Sequence, residues 1–99
     1  MRRTAAARSP EFRLFETDEL QKALARLRPA MSLREKLDSY VYPQLRRNPY
    51  FGPNIRKLRA YTPPTWRYRI GSYRVFYAID AEERIVFLLT IDNRKDAYR

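Results

Sequence analysis

Apolar and polar positions alternate with two different periods along the chain, and the change of period divides it. Glu11 to Glu16 (EFRLFE) alternates as a short strand, with Phe12, Leu14 and Phe15 available to a core. Thr17 and Asp18 follow as a helix-start signal. Leu20, Ala23, Leu24 and Leu27 then stand at i, i+3, i+4 and i+7, one face of a helix that Pro29 ends. Ser32 opens a second helix, with Glu35 completing a capping box. Leu33, Leu37, Tyr40, Val41 and Leu45 continue the stripe, and Pro43 is expected to kink this helix or end its regular part near Tyr40. So short a connection implies an antiparallel helical hairpin.

Asn48 to Pro64 holds four prolines and Gly52 and reads as loop, with IRKLRAY inside it a turn of helix or a strand. The period then returns to two. Trp66 to Ile70 places Trp66, Tyr68 and Ile70 on one face and Arg67 and Arg69 on the other. Gly71-Ser72 makes a tight turn into a strand over Tyr73 to Ile79, and Arg84 to Ile91 forms a third. The expected fold class is α+β: an N-terminal strand, a helical hairpin, then a three-stranded antiparallel meander. Helices would cover one sheet face and leave a basic concave face open. Residues 1–10 read as a flexible basic arm and 11–99 as a single domain.

Composition narrows the chemistry. The chain has no cysteine, so disulfides and thiolate chemistry are excluded. It has no histidine, which removes the usual near-neutral acid–base group and the commonest metal ligand. No metal site is expected, since it would have to be built from carboxylates alone, and no cofactor, since two glycines in the whole chain leave no phosphate-cradling loop. No apolar run approaches the roughly 18 residues of a membrane span, so no membrane association and a cytoplasmic location are expected.

Charge changes the picture most. The net charge is +10, and Ser39 to Ile79 contains Arg46, Arg47, Arg56, Lys57, Arg59, Arg67, Arg69 and Arg74 with no acidic residue. An ordinary solvated surface mixes both signs. Arginine outnumbers lysine 17 to 4, and its planar fork suits phosphate and can stack on a base. A polyanion is the indicated partner, RNA before others. Strand alternation divides the tract into an apolar half for the core and an arginine half facing out.

Three stretches in order resemble the RelE/ParE toxin superfamily: RRNPYFGPNIRKLRAY (Arg46 to Tyr61), WRYRIGSYRVFYAID (Trp66 to Asp80) and IVFLLTIDNRKDAY (Ile85 to Tyr98). The likeness runs from about Phe12 to the end of the chain. It implies the toxin of a type II toxin–antitoxin system, an endoribonuclease cutting mRNA on the ribosome without a metal ion. It also implies a cognate antitoxin, which the basic tract suggests is acidic. Catalytic positions carried over from the family are Arg67, Arg69, Arg74, Arg94 and Tyr98. Arg46, Arg47, Arg56, Lys57, Arg59 and Lys95 are the expected RNA-binding residues. Arginine stands at 67 and 69 where well-studied members have lysine, and Asn93 where many have histidine. A guanidinium binds phosphate but is a very poor general base, so proton transfer falls to Tyr98. The alternatives are a ParE-like inhibitor of DNA gyrase and a non-catalytic RNA-binding or ribosome-associated module. Arg74 also has the option of pairing with an acid on a neighbouring strand, and Asp92 and Asp96 of balancing local arginines.

Overall fold

The computed structural model describes residues 11–27 and 31–94. In chain order these form β1 (Arg13–Glu16), α1 (Asp18–Leu27), α2 (Met31–Lys36), a π-helical turn (Leu37–Val41) and α3 (Tyr42–Arg47). The strands β2 (Ile55–Lys57), β3 (Trp66–Ile70), β4 (Tyr73–Asp80) and β5 (Ile85–Asn93) follow. One five-stranded sheet runs in the order β1-β5-β4-β3-β2. β1 lies parallel to β5, and every other pair is antiparallel. The α+β class and the β3–β4–β5 meander are as the alternation predicts. Of the two readings left for IRKLRAY, the strand forms: Ile55 to Lys57 adds a fifth strand along the edge of β3.

Thr17 caps α1. Its Oγ1 accepts from the Leu20 amide at 3.2 Å and donates to the Leu88 carbonyl at 2.7 Å, which ties the helix start to β5. Leu20 and Ala23 are fully buried, with Leu24 and Leu27 packed at the margin of the same core. The expected box at Ser32 and Glu35 is displaced, because helix already begins at Met31 and Ser32 lies exposed within its first turn. Pro29 lies outside the described residues.

The regular part of the second helix does end ahead of Pro43, at Lys36 rather than near Tyr40, but the helical run continues through the proline. Its ring would clash with the Ser39 carbonyl in a regular α-helix, and the backbone answers by widening just before it. The Tyr42 amide donates to the Leu37 carbonyl five residues back, and helix resumes to Arg47. A π turn advances less per residue than an α turn, so the apolar stripe rotates. Leu33, Leu37, Val41 and Leu45 stay buried, but Tyr40 swings out to 67% exposure and Tyr42 turns in to 5%. The Tyr42 hydroxyl donates to Glu16 Oε2 at 2.6 Å, and Arg34 reaches the same oxygen at 3.0 Å, so the second helical run is fastened to β1.

Tyr68, Val75, Tyr77, Val86, Leu88 and Ile91 supply the sheet half of the core. Tyr77 is completely buried, and its hydroxyl donates to the Pro49 carbonyl at 2.8 Å. A register shift between Phe76↔Thr90 and Tyr77↔Leu88 leaves Leu89 as an extra residue on β5. This bulge lets Leu88 and Ile91, three apart, both face the helices. Gly71 takes a φ of +59° in the β3–β4 turn, a conformation that favours glycine. Among the described residues no helix is long and apolar enough to cross a membrane.

Candidate nucleic-acid interface

Strand pairing decides which arginines meet. Residues paired across a sheet share a face, and Tyr68, Val75 and Ile91 fix the helix-covered one. The opposite face therefore carries the row Arg56↔Arg67↔Phe76↔Thr90, and beside it the row Arg69↔Arg74↔Asp92. Arg56 directly opposes Arg67, and Arg69 directly opposes Arg74. Like charges placed so are destabilising. The fold draws no evident benefit from them.

Arg67 carries most of that strain. It is half-buried, and its Nε is buried without a hydrogen-bond partner among the described residues. Burial, then the charges of Arg69, Arg56 and Arg74, hold its guanidinium below the ordinary arginine pKa. A crowded, partly desolvated cation of this kind is the environment an incoming anion relieves.

Arg74 takes the pairing open to it from the sequence. Its Nε and terminal nitrogen each donate to one oxygen of Asp92 at 3.0 Å, a bidentate bridge between β4 and β5. The guanidinium also lies 5.8 Å from the Phe76 ring centre. It is thus held in a fixed orientation on the open face. Arg94 follows the last paired residue of β5, with its amide donating to the Ser72 carbonyl at 2.6 Å. That places its backbone at the same sheet end as Arg69 and Arg74. Tyr98 lies outside the described residues, as do Lys95 and Asp96.

The other basic residues are spread differently. Lys57 pairs in register with Trp66 on the helix-side face, its ammonium 5.7 Å from the indole centre. Arg46 and Arg47 are exposed in the last turn of α3, within the helical layer. Arg59 is exposed in the turn after β2. The long basic tract therefore splits, and the open face collects Arg56, Arg67, Arg69 and Arg74. Continuing the alternation also finds the face's aromatic members. Phe76 is two residues beyond Arg74, and Phe87 pairs with Phe15 at the far side, ring centres 5.9 Å apart. The buried tyrosines take no part: burial first, and for Tyr42 the Glu16 carboxylate as well, raises the phenol pKa of Tyr42 and Tyr77 far out of working range.

Residues 15–98 match the model of a family described as the ParE toxin of type II toxin–antitoxin systems, parDE. Solved structures share the fold. The RelBE2 toxin–antitoxin complex from Mycobacterium tuberculosis contains a chain 24% identical, superposing with a TM-score of 0.71 over 85% of this chain and 99% of that one. A chain of the archaeal RelE–RelB complex from Pyrococcus horikoshii is 25% identical at a TM-score of 0.64, covering 85% and 96%. A mutant of Escherichia coli RelE in the free state is 22% identical at 0.64, covering 89% and 88%. No curated protein sequence matches the chain.

Proposed function

The chain belongs to the RelE/ParE superfamily as a toxin of type II toxin–antitoxin systems, and on that premise we propose that it is a metal-independent endoribonuclease that cuts mRNA on the ribosome. The observation that carries the reading is Arg67, a part-buried cation crowded by three other arginines on an open sheet face. Single-stranded RNA offers such a face a phosphate with two free oxygens.

Cleavage needs no more than in-line geometry, charge stabilisation and two proton transfers. The ribose 2′-oxygen attacks the neighbouring phosphorus, its proton leaves, and the bond from phosphorus to the 5′-oxygen breaks as that oxygen is protonated. The products are a cyclic phosphate and a free 5′-hydroxyl. Arg67 and Arg69 hold the non-bridging oxygens and stabilise the charge that builds on the phosphorane. Arg74, oriented by Asp92, fixes the phosphate from the neighbouring strand. Arg94 serves the same phosphate from the sheet end, Tyr98 takes the 2′-proton, and solvent water protonates the departing 5′-oxygen. Arg56 extends the grip along the backbone. RelE chains from Mycobacterium tuberculosis and Pyrococcus horikoshii are solved with RelB, and this likeness supports a cognate antitoxin here too, one whose acidic surface covers the arginine face.

Single-turnover cleavage of ribosome-bound mRNA tests the reading. Arg67→Ala is expected to lower the rate about 10²–10³-fold, as loss of an oriented donor to developing charge does. Wild-type rates in both Arg74→Ala and Tyr98→Phe would sink it. The matched family description names ParE, which favours a second reading as an inhibitor of DNA gyrase. Blocked supercoiling by purified gyrase with mRNA left intact selects that one.

A further inference from the structure

Between the helical hairpin and the edge of the sheet lies a groove that the arginine rows do not explain. β2 stops at Ile55 while β3 runs on to Ile70, so the last two residues of β3 have no strand beside them on that edge. Chain continues past them only as Asn54, whose carbonyl accepts from the Arg69 amide at 2.9 Å. The hollow left there has a volume of about 370 Å³ and is lined by Lys36, Tyr40, Asn54 and Arg69 over a floor of Tyr68 and Ile70. A smaller hollow of about 170 Å³ shares Lys36, Ile70 and Gly71 with it and continues the groove around the β3–β4 turn.

Tyr40 is there because of the π turn. It is 67% exposed, an aromatic ring held at the groove by a helix distortion rather than left over from the core. Lys36 stands four residues earlier on the same helical run, and Arg69, whose side chain belongs to the open face, borders the groove at the sheet edge. Neither cation has a hydrogen-bond or ion-pair partner among the described residues. A ring to stack on, a cation beside it, a second cation at the rim and an amide that can both donate and accept are together the chemistry that receives one nucleotide. Arg69 stands where the groove meets the open face, so a strand held by the arginine rows enters the groove by crossing the sheet edge at β3.

We propose that this groove is a nucleotide subsite: Tyr40 stacks on the base of the nucleotide next to the phosphate that Arg69 grips, Lys36 holds that nucleotide's own phosphate, and Asn54 contacts the base edge. The inference rests on the RNA reading of the arginine face and adds a specificity-determining position to it. Tyr40 positions substrate and does not touch the reacting atoms.

Fluorescence anisotropy with a short single-stranded RNA, made uncleavable by 2′-O-methylation, tests it. Tyr40→Ala is expected to weaken binding about tenfold, the scale of one lost base–aromatic stack, with an unchanged Tm because the side chain is exposed. Tyr40→Phe should bind like wild type, since the ring is what matters. In single-turnover cleavage Tyr40→Ala should raise the half-saturating RNA concentration and leave the saturated rate alone. Wild-type affinity in Tyr40→Ala, beside lost affinity in Arg67→Ala, overturns the subsite and leaves the arginine-face reading standing. No RNA binding by the wild-type protein removes both. Equal losses for RNA and for a poly-glutamate peptide assign the groove to an acidic protein and overturn the proposal.

Discussion

Arg67 is positioned against its own electrostatic interest: paired across strands with Arg56, flanked by Arg69 and Arg74, and with a buried Nε that has no hydrogen-bond partner among the described residues. Neutralising it relieves like-charge repulsion and desolvation together. Arg67→Gln is therefore expected to stabilise the free protein by up to about 1 kcal/mol, roughly 4 °C in Tm, while weakening RNA binding. A thermal melt paired with an RNA titration reads both, and a destabilised variant would show that Arg67 serves the fold. Arg74 is the contrast, since Asp92 compensates it through two 3.0 Å bonds. The sequence separated these two roles poorly. Both are strand arginines facing out, and only the β4–β5 register brings Asp92 beside Arg74.

At the scale of elements, two local devices set the frame of the site. Thr17 joins α1 to β5 by capping the helix and bonding the Leu88 carbonyl with the same hydroxyl. Thr17→Ala is expected to cost about 1–2 kcal/mol, measurable by urea denaturation with an unchanged m value. That cap was legible, because Thr-Asp before an apolar stripe is a strong local signal. The π turn was not. Helical periodicity assigns Tyr40 to the core and is silent on Tyr42, and a one-residue adjustment ahead of Pro43 reverses both. The proline announced a disturbance, but whether it resolves as a break, a kink or a π turn depends on packing against the sheet. The bulge at Leu89 was hidden for the same reason.

For the molecule as a whole, the net charge of +10 resolves into an open arginine face and separate basic positions on the helical side. Binding through Arg56, Arg67, Arg69 and Arg74 should release about one counterion for each phosphate neutralised. With Arg67, Arg69 and Arg74 on one phosphate and Arg56 on the next, the logarithm of RNA affinity is then expected to fall with the logarithm of salt concentration at a slope near −1.4, about −0.7 per phosphate on a single strand. Arg56→Ala should make the slope shallower by about 0.7, whereas Arg47→Ala, on the helical layer, should leave it unchanged. An equal effect from both variants would mean that RNA wraps the helical side as well. The fifth strand belongs to this scale too: IRK is short and lies in a proline-rich stretch, so its pairing with β3 is a property of the assembled sheet.

The sequence by itself determined the α+β order, the first helix stripe, the family, and the split of β3 into a core-facing half and an arginine half. Each is set by local periodicity or by residue type at fixed spacing, which hold however the chain is finally packed. Tertiary structure decided which charges oppose one another, which arginine is compensated, where Lys57 points, and that Tyr40 lines a groove. Those outcomes follow from strand register and helix phase, where a shift of one residue moves a side chain to another face.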